Sequence, residues 1–346
     1  MSLIASKYKW QGEHGAPICR AQFKQQAADF IVEEDLGYSP SGDGEHVFLW
    51  IEKQDTNTAF VAEQLAKFSG LPLRNISYAG RKDKYALTRQ WFGVHLGSKQ
   101  ELEWNKFNLD KVSILDVTRN QKKLRTGGLR GNRFEICLRD LEAFDQKALE
   151  QRLELIKKCG VLNYFGQQRF GLQHDEGAGN LLMAKRMLDG EVIRNRNKRS
   201  MIISAMRAWL FNEFIEARLL AGLSTQAIIG DALNLAGSNS FFVHDGTDQN
   251  IAQRAEDRDL LITAPMWGKG NLSTQAQALE LEQECAHKYA SVCLQLEALG
   301  LKQERRPIRM YPENMTWQLE DKHLRLSFQL RSGCFATSVL NELVEY

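Results

Sequence analysis

Residues 78–90 read YAGRKDKYALTRQ and set one carboxylate, Asp83, between Lys82 and Lys84, with Arg81 before and Arg89 after. Neighbouring cations favour the ionised form of a carboxyl group, which argues against a proton donor. A carboxylate kept ionised is suited to be a nucleophile or an electrostatic stabiliser. It can equally be the salt-bridged acid of a solvated loop, and this stretch alone does not choose. A second group is Gly131-Asn132-Arg133-Phe134. Asn132 carries an amide that both donates and accepts, as reading a base edge requires. Phe134 offers a flat apolar face, and a base stacked on an aromatic ring gains on the order of 1–3 kcal/mol. On a strand Asn132 and Phe134 share a face and Arg133 takes the other. Phe134, Ile136 and Leu138 can also be simply the inward row of that strand. A third group, GCFATS at 333–338, opens a helix whose free N–H groups suit an anionic or carbonyl partner. There Phe335 either clamps a base or anchors the terminal helix.

Charge distribution points to phosphates. The net charge is only +2 over 346 residues, but RNQKKLRTGGLRGNR (119–133) holds six basic residues and no acid, and RNRNKRSMIISAMR (194–207) holds five and none. A third cluster joins Lys302, Arg305, Arg306 and Arg309, diluted by Glu304. Each stretch alone reads as a solvated face. Together, beside glycines, asparagines and aromatics, they suggest a nucleic-acid footprint. With 43% apolar and 25% charged residues the composition is that of a globular protein. The length suits about two domains. No apolar run approaches the roughly 18 residues of a membrane span, and MSLIASKYKW lacks a signal-peptide centre. The six cysteines form no Cys-x-x-Cys pair and no two histidines share an i, i+4 spacing, so no metal site is visible and a reduced, cytoplasmic protein is expected. No glycine-rich phosphate loop occurs.

The elements that must position these residues follow from periodicity. Strands are expected at 29–37 and 47–53, joined by a long loop. A helix capped by Asn57 or Thr58 follows, with Phe60, Val61, Leu65 and Phe68 on its apolar face and Gly70 ending it. Further strands are expected at 75–78, 90–96, 112–117 and 134–138. After a helix at 145–158 the chain becomes mainly helical, with helices at 200–220 and 272–299 around a short hairpin at 232–243. Strands return at 315–319 and 324–330, and a closing helix runs from Ala336 to the end. Sheet, then helices, then sheet suggests one domain interrupted by another.

YAGRKDKYALTRQ closely resembles the signature of the TruD family of tRNA pseudouridine synthases, AG-x-KDK-x-A-x-T-x-Q. DFIVEEDLG, GNRF, NYFGQQRFG, RNKRS, GDALNLAG and GCFATSV are similar to further stretches of that family in the same order, from about residue 24 to the C-terminus. The resemblance implies an α+β fold: a pseudouridine synthase catalytic domain with a mixed, mainly antiparallel sheet and flanking helices (residues 1–159 and 310–346), interrupted by a helix-rich TRUD domain (160–309), with RNA held in the cleft between them. It implies isomerisation of uridine to pseudouridine in tRNA, expected at uridine 13 of tRNA(Glu), on a base turned out of the stack. It implies no cofactor and no metal; no membrane association is expected, and no obligate protein partner is evident in the sequence. Asp83 takes the family's nucleophile position, and the resemblance leaves open whether it attacks base or ribose. Substrate contacts fall on Phe30, Asn132 and Phe335, the aromatic near the base on Phe134, and a basic partner of the aspartate on Lys24. The chain departs from the family's usual Pro-Glu-Asp-Phe, having Ala27-Ala28-Asp29-Phe30. Two other readings stand beside this one: an RNA-binding protein without chemistry, and an aspartyl-phosphate phosphotransferase requiring magnesium.

Overall fold

The computed structural model describes residues 10, 12–97, 101–171, 173–174, 177–238 and 240–346. The chain divides into two compact units. The first comprises Pro17–Lys158, Tyr311–Ala336 and Leu343–Tyr346; the second comprises Cys159–Met310 and Thr337–Glu342, with N-terminal residues up to Ala16.

The first unit is built on one large mixed sheet. In chain order it has β1 (Cys19–Phe23), β2 (Phe30–Asp35), β3 (His46–Gln54), α1 (Thr58–Ser69), β4 (Ile76–Tyr78), β5 (Leu87–His95), β6 (Val112–Asn120), β7 (Gly131–Glu142) and nearly all of α2 (Gln146–Cys159). The second unit carries β8 (Val161–Leu162), α3 (Gln167–Phe170), β9 (Gln173–His174), β10 (Gly177–Ala178), α4 (Gly179–Leu188), α5 (Arg196–Leu220), β11 (Ala232–Leu235) and β12 (Phe241–Val243). It continues with α6 (Ile251–Glu256), β13 (Leu260–Met266), α7 (Ala276–Lys288), α8 (Ala290–Ala298), β14 (Glu304–Pro307) and β15 (Arg309–Met310). The chain then returns to the sheet with β16 (Glu313–Glu320) and β17 (His323–Arg331), and closes with α9 (Ala336–Asn341) and β18 (Val344–Glu345).

The strand order is β16-β17-β7-β2-β5-β3-β6, with β4 beside β5, and β1 beside both β7 and β18. The β2–β5 and β1–β18 pairs are parallel and the others antiparallel, the mixed, mainly antiparallel α+β arrangement expected. β7 is the hub. Its register sets Asn132 between Glu34 and Leu330, and Phe134 between Val32 and Phe328, so these side chains share one face. Helix α1 begins where the Asn57 side chain accepts from the Ala59 N–H at 2.8 Å and ends at Gly70 with φ +63°. It buries Val61, Ala62, Leu65 and Ala66 against Val47, Leu49, Ile51 and Phe92. Phe60, expected on that face, is exposed, because a stripe centred on 61, 62 and 65 leaves position 60 outside it.

In the second unit α5 buries Ile202, Met206, Trp209, Leu210 and Phe211 along its length. The hairpin expected at 232–243 forms as β11 and β12 within a sheet ordered β12-β11-β13-β14. The helix expected over 272–299 is two helices. Tyr289, at φ −115° and ψ 32°, breaks it, and its hydroxyl donates to Glu213. The closing helix stops at Asn341, since the last residues return to the sheet as β18, parallel to β1.

Candidate active site

Asp83 lies on the loop from Gly80 to Tyr85 between β4 and β5, and three buried side chains pin that loop. Lys53 on β3 donates from Nζ to the Asp83 carbonyl at 3.0 Å. Thr58, the first residue of α1, accepts from the Lys82 N–H at 3.1 Å and donates to Gln90 Oε1 at 2.9 Å. Gln90 on β5 in turn donates to the Gly80 carbonyl at 3.0 Å. The backbone is therefore fixed from β3, α1 and β5, while the Asp83 side chain stays 40% exposed. A carboxylate so placed is both held and reachable.

Lys24 stands beside it, with Nζ 3.7 Å from Asp83 Oδ1, an ion pair longer than a hydrogen bond. The same ammonium lies 4.0 Å from the centroid of the Phe30 ring and 5.2 Å from that of Phe23. Burial pulls the Lys24 ammonium below its ordinary pKa, and the Asp83 carboxylate works against that pull. Lys53 has no accessible surface, and burial lowers its pKa to about 8, again opposed by Asp83. The departure at Ala27-Ala28 lies in a single 3-10 turn that ends at Asp29. Asp29 closes it by accepting from the Gln26 N–H at 3.1 Å and pairing with Arg139 at 2.8 Å, which delivers Phe30 to the start of β2.

Lys82 does not face solvent. Its Nζ pairs with Glu34 at 2.8 Å and donates to Asn132 Oδ1 at 2.7 Å. Glu34 also accepts from the Trp91 N–H at 3.1 Å. Phe30, Phe134 and Phe328 form an aromatic row with centroid separations of 6.0 and 5.6 Å, and all three are buried. Five of the expected residues are thus joined: Asp83 to Lys24, Lys24 to Phe30, Phe30 to Phe134, and Asn132 to the Asp83 loop through Lys82. Phe335 is half-buried on the turn after β17, whose Leu330 pairs with Asn132.

Sequence reasoning missed Lys53, Lys82, Glu34, Thr58 and Gln90 as parts of this assembly. A signal existed for two of them. Lys53 is in alternate register with Leu49 and Ile51, and Glu34 with Phe30 and Val32, so each strand places a charge on its apolar face. Of the basic stretches, Arg194 just before α5 and Arg196, Lys198 and Arg199 in its first turn are exposed, whereas Arg207 is held by the Met266 and Trp267 carbonyls. Lys122 and Arg125 are exposed, while Arg119, Arg130 and Arg133 pair with Glu101, Asp35 and Glu135. The third cluster is largely internal. Arg305 is bound by Glu282 and Thr263, Arg309 by Glu13 and the Cys159 carbonyl, and Arg306 donates to Asn163. Among the described residues no group of three His, Cys, Asp or Glu side chains is arranged to hold a metal ion, and no helix is long and apolar enough to cross a membrane.

The family model described as tRNA pseudouridine synthase D (TruD) matches residues 14–192 and 191–343. A tRNA pseudouridine synthase D from Pseudoalteromonas atlantica is 48% identical over 336 residues, covering 97% of this chain and 95% of that protein. One from Aeromonas hydrophila is 46% identical over 332 residues, covering 96% and 93%. A crystal structure from Methanosarcina mazei named for TruD superposes with a TM-score of 0.72 at 19% identity, over 99% of this chain and 97% of that one, and so shares the fold. The chain belongs to the TruD (tRNA pseudouridine synthase D) family of isomerases.

Proposed function

We propose that the protein isomerises uridine 13 of tRNA(Glu) to pseudouridine, with Asp83 as nucleophile acting on a base turned out of the stack. The unit built on the large mixed sheet carries the chemistry in this reading. The bond from uracil N1 to the ribose breaks, the base rotates, and C5 bonds to the ribose in its place. The C5 proton leaves and N1 ends protonated, so the product is an isomer. Extruding the base costs a few kcal/mol. Asn132 and the half-buried Phe335 would offset that cost, and the buried Phe30–Phe134 row would form the wall against which the base lies. Exposed cations such as Arg196 and Lys198 would grip the phosphates.

The observation that carries this reading is the state of Asp83: its backbone carbonyl is clamped by a buried lysine while its carboxylate remains exposed beside Lys24. An RNA-binding protein without chemistry has no need to hold one acid so firmly and leave it reachable. Asp83→Asn separates the two. Tritium release from tRNA labelled at uridine C5 is expected to fall to background, with tRNA affinity changed by less than about threefold, because one carboxylate contributes little attraction to a polyanion. Wild-type protein that releases no tritium would favour the binding-only reading.

A further inference from the structure

The nest of bases around Asp83 contains one that faces inward. Lys82 keeps only 5% of its side chain accessible, and its partner Glu34 keeps none. A buried ion pair is seldom a net gain in stability, because desolvating two charges costs about as much as their attraction returns. What this pair does locally is orient Asn132. A lysine ammonium has donors and no acceptor, so the end of the carboxamide that lies 2.7 Å from Nζ must be Oδ1. Glu34, itself held by the Trp91 N–H, keeps that ammonium in place. The Asn132 NH2 group is thereby turned away from Lys82, and no acceptor receives it among the described residues. Asn132 is half-buried, on the same face as Phe134 and tied to the loop that carries Asp83.

We propose that Lys82 and Glu34 are positioning residues that lock the Asn132 carboxamide in the orientation that accepts uracil and rejects cytosine. The inference rests on the reading of Asp83 and Asn132 given above. The outward NH2 donates to uracil O4, and the second lone pair of Oδ1 remains for uracil N3–H. Cytosine presents the opposite pattern, an amino group at C4 and a bare N3, so it meets donor with donor and acceptor with acceptor. A carboxamide free to turn over would serve either base equally well.

The test is made in an Asp83→Asn background, where bound uridine is not consumed. Two tRNA(Glu) transcripts are compared in competition binding, with uridine or cytidine at the position where wild-type protein makes pseudouridine. The background protein is expected to prefer uridine by on the order of tenfold to a hundredfold. Adding Lys82→Met together with Glu34→Leu removes the pair without leaving a lone buried charge. That protein is expected to bind both transcripts with a ratio within about threefold and to melt cooperatively. A ratio that survives the double substitution, or a background protein that never discriminates, overturns the proposal. Should the double variant fail to fold, Asn132→Asp decides. With Lys82 holding one carboxylate oxygen, the other faces the base as an acceptor, and the preference is expected to invert toward cytidine; an unchanged preference for uridine overturns the proposal. Failure of the underlying reading is distinct, since it shows as absent tritium release from the wild-type protein.

Discussion

Lys24 holds its ammonium 3.7 Å from Asp83 Oδ1 and 4.0 Å from the centroid of the Phe30 ring, so one cation touches both the acid and the aromatic row. The backbone bends to allow it, because Lys24 is left-handed with φ +59°. Non-glycine residues held in that region carry about 1–3 kcal/mol of strain and persist where the surroundings over-determine them. Lys24→Met is expected to lower kcat by on the order of tenfold to a hundredfold, about 1.4–2.7 kcal/mol of barrier for the loss of one part-buried ion pair. KM for tRNA is expected to stay within about threefold, and Tm to hold or rise, since a desolvated ammonium is removed. Single-turnover rates and a thermal melt check this. A change confined to KM would make Lys24 a tRNA anchor instead.

The aromatics divide by burial. Phe134 lies between Phe30 and Phe328 with 6% of its surface accessible, so truncating it opens a cavity. Phe134→Ala is expected to cost about 3–5 kcal/mol in urea unfolding as well as activity. Phe335 is half-buried, and Phe335→Ala is expected to cost less than about 2 kcal/mol while still raising KM for tRNA. Equal stability losses for the two would make Phe335 a core anchor for the closing helix.

Much of this arrangement was legible in sequence, and the gaps have physical causes. Alternation predicts a strand over 134–138, shorter than β7 at Gly131–Glu142, yet it is enough to put Asn132 and Phe134 on one face. Asp83 stands out in the sequence because its charge contrast is local. Nothing local marks Lys82 as buried, because its partners, Glu34 and Asn132, lie 48 and 50 residues away and no local pattern couples them. The break at Tyr289 left no trace, since neither glycine nor proline marks it and the apolar period runs through it. β1 and β18 are short and pair in parallel across the length of the chain, which periodicity cannot register. Charge runs were the weakest guide, because Arg305 and Arg309 spend their charge on internal carboxylates.

That difference among arginines is measurable. Arg196 and Lys198 are exposed in the first turn of α5, where positive charge opposes the helix dipole. Replacing both with Gln is expected to weaken tRNA binding, to reduce the slope of log K against log salt by roughly one for each phosphate left without its cation, and to leave Tm equal or slightly higher. Arg305→Gln should do the reverse. It strips a buried partner from Glu282, so a loss of roughly 3–5 kcal/mol in stability is expected, with the salt slope unchanged. A salt slope unmoved by the α5 substitutions would remove that turn from the footprint.

Lys53 gives a pH signature. Its pKa lies near 8 in the folded protein, through burial, against an ordinary 10.5. Below pH 8 both states hold the proton, and the folded protein carries the full cost of the desolvated ammonium. Between about 8 and 10.5 the unfolded chain holds more protons than the fold, so raising pH stabilises the fold through this group. The full effect is roughly 3 kcal/mol. Other groups titrate in the same range, so the quantity to follow is the difference between wild type and Lys53→Met, which keeps the volume and loses the amine. That difference is expected to shift in favour of the wild type from pH 7 to pH 10, and a flat difference would mean the ammonium is not desolvated. Asp83 supplies the control. Its charge raises the Lys53 pKa, so in Asp83→Asn the ammonium gives up its proton more readily and the stabilising window is expected to begin at lower pH. An unmoved window would show that the clamp on the Asp83 carbonyl and the charge of the Asp83 carboxylate act independently.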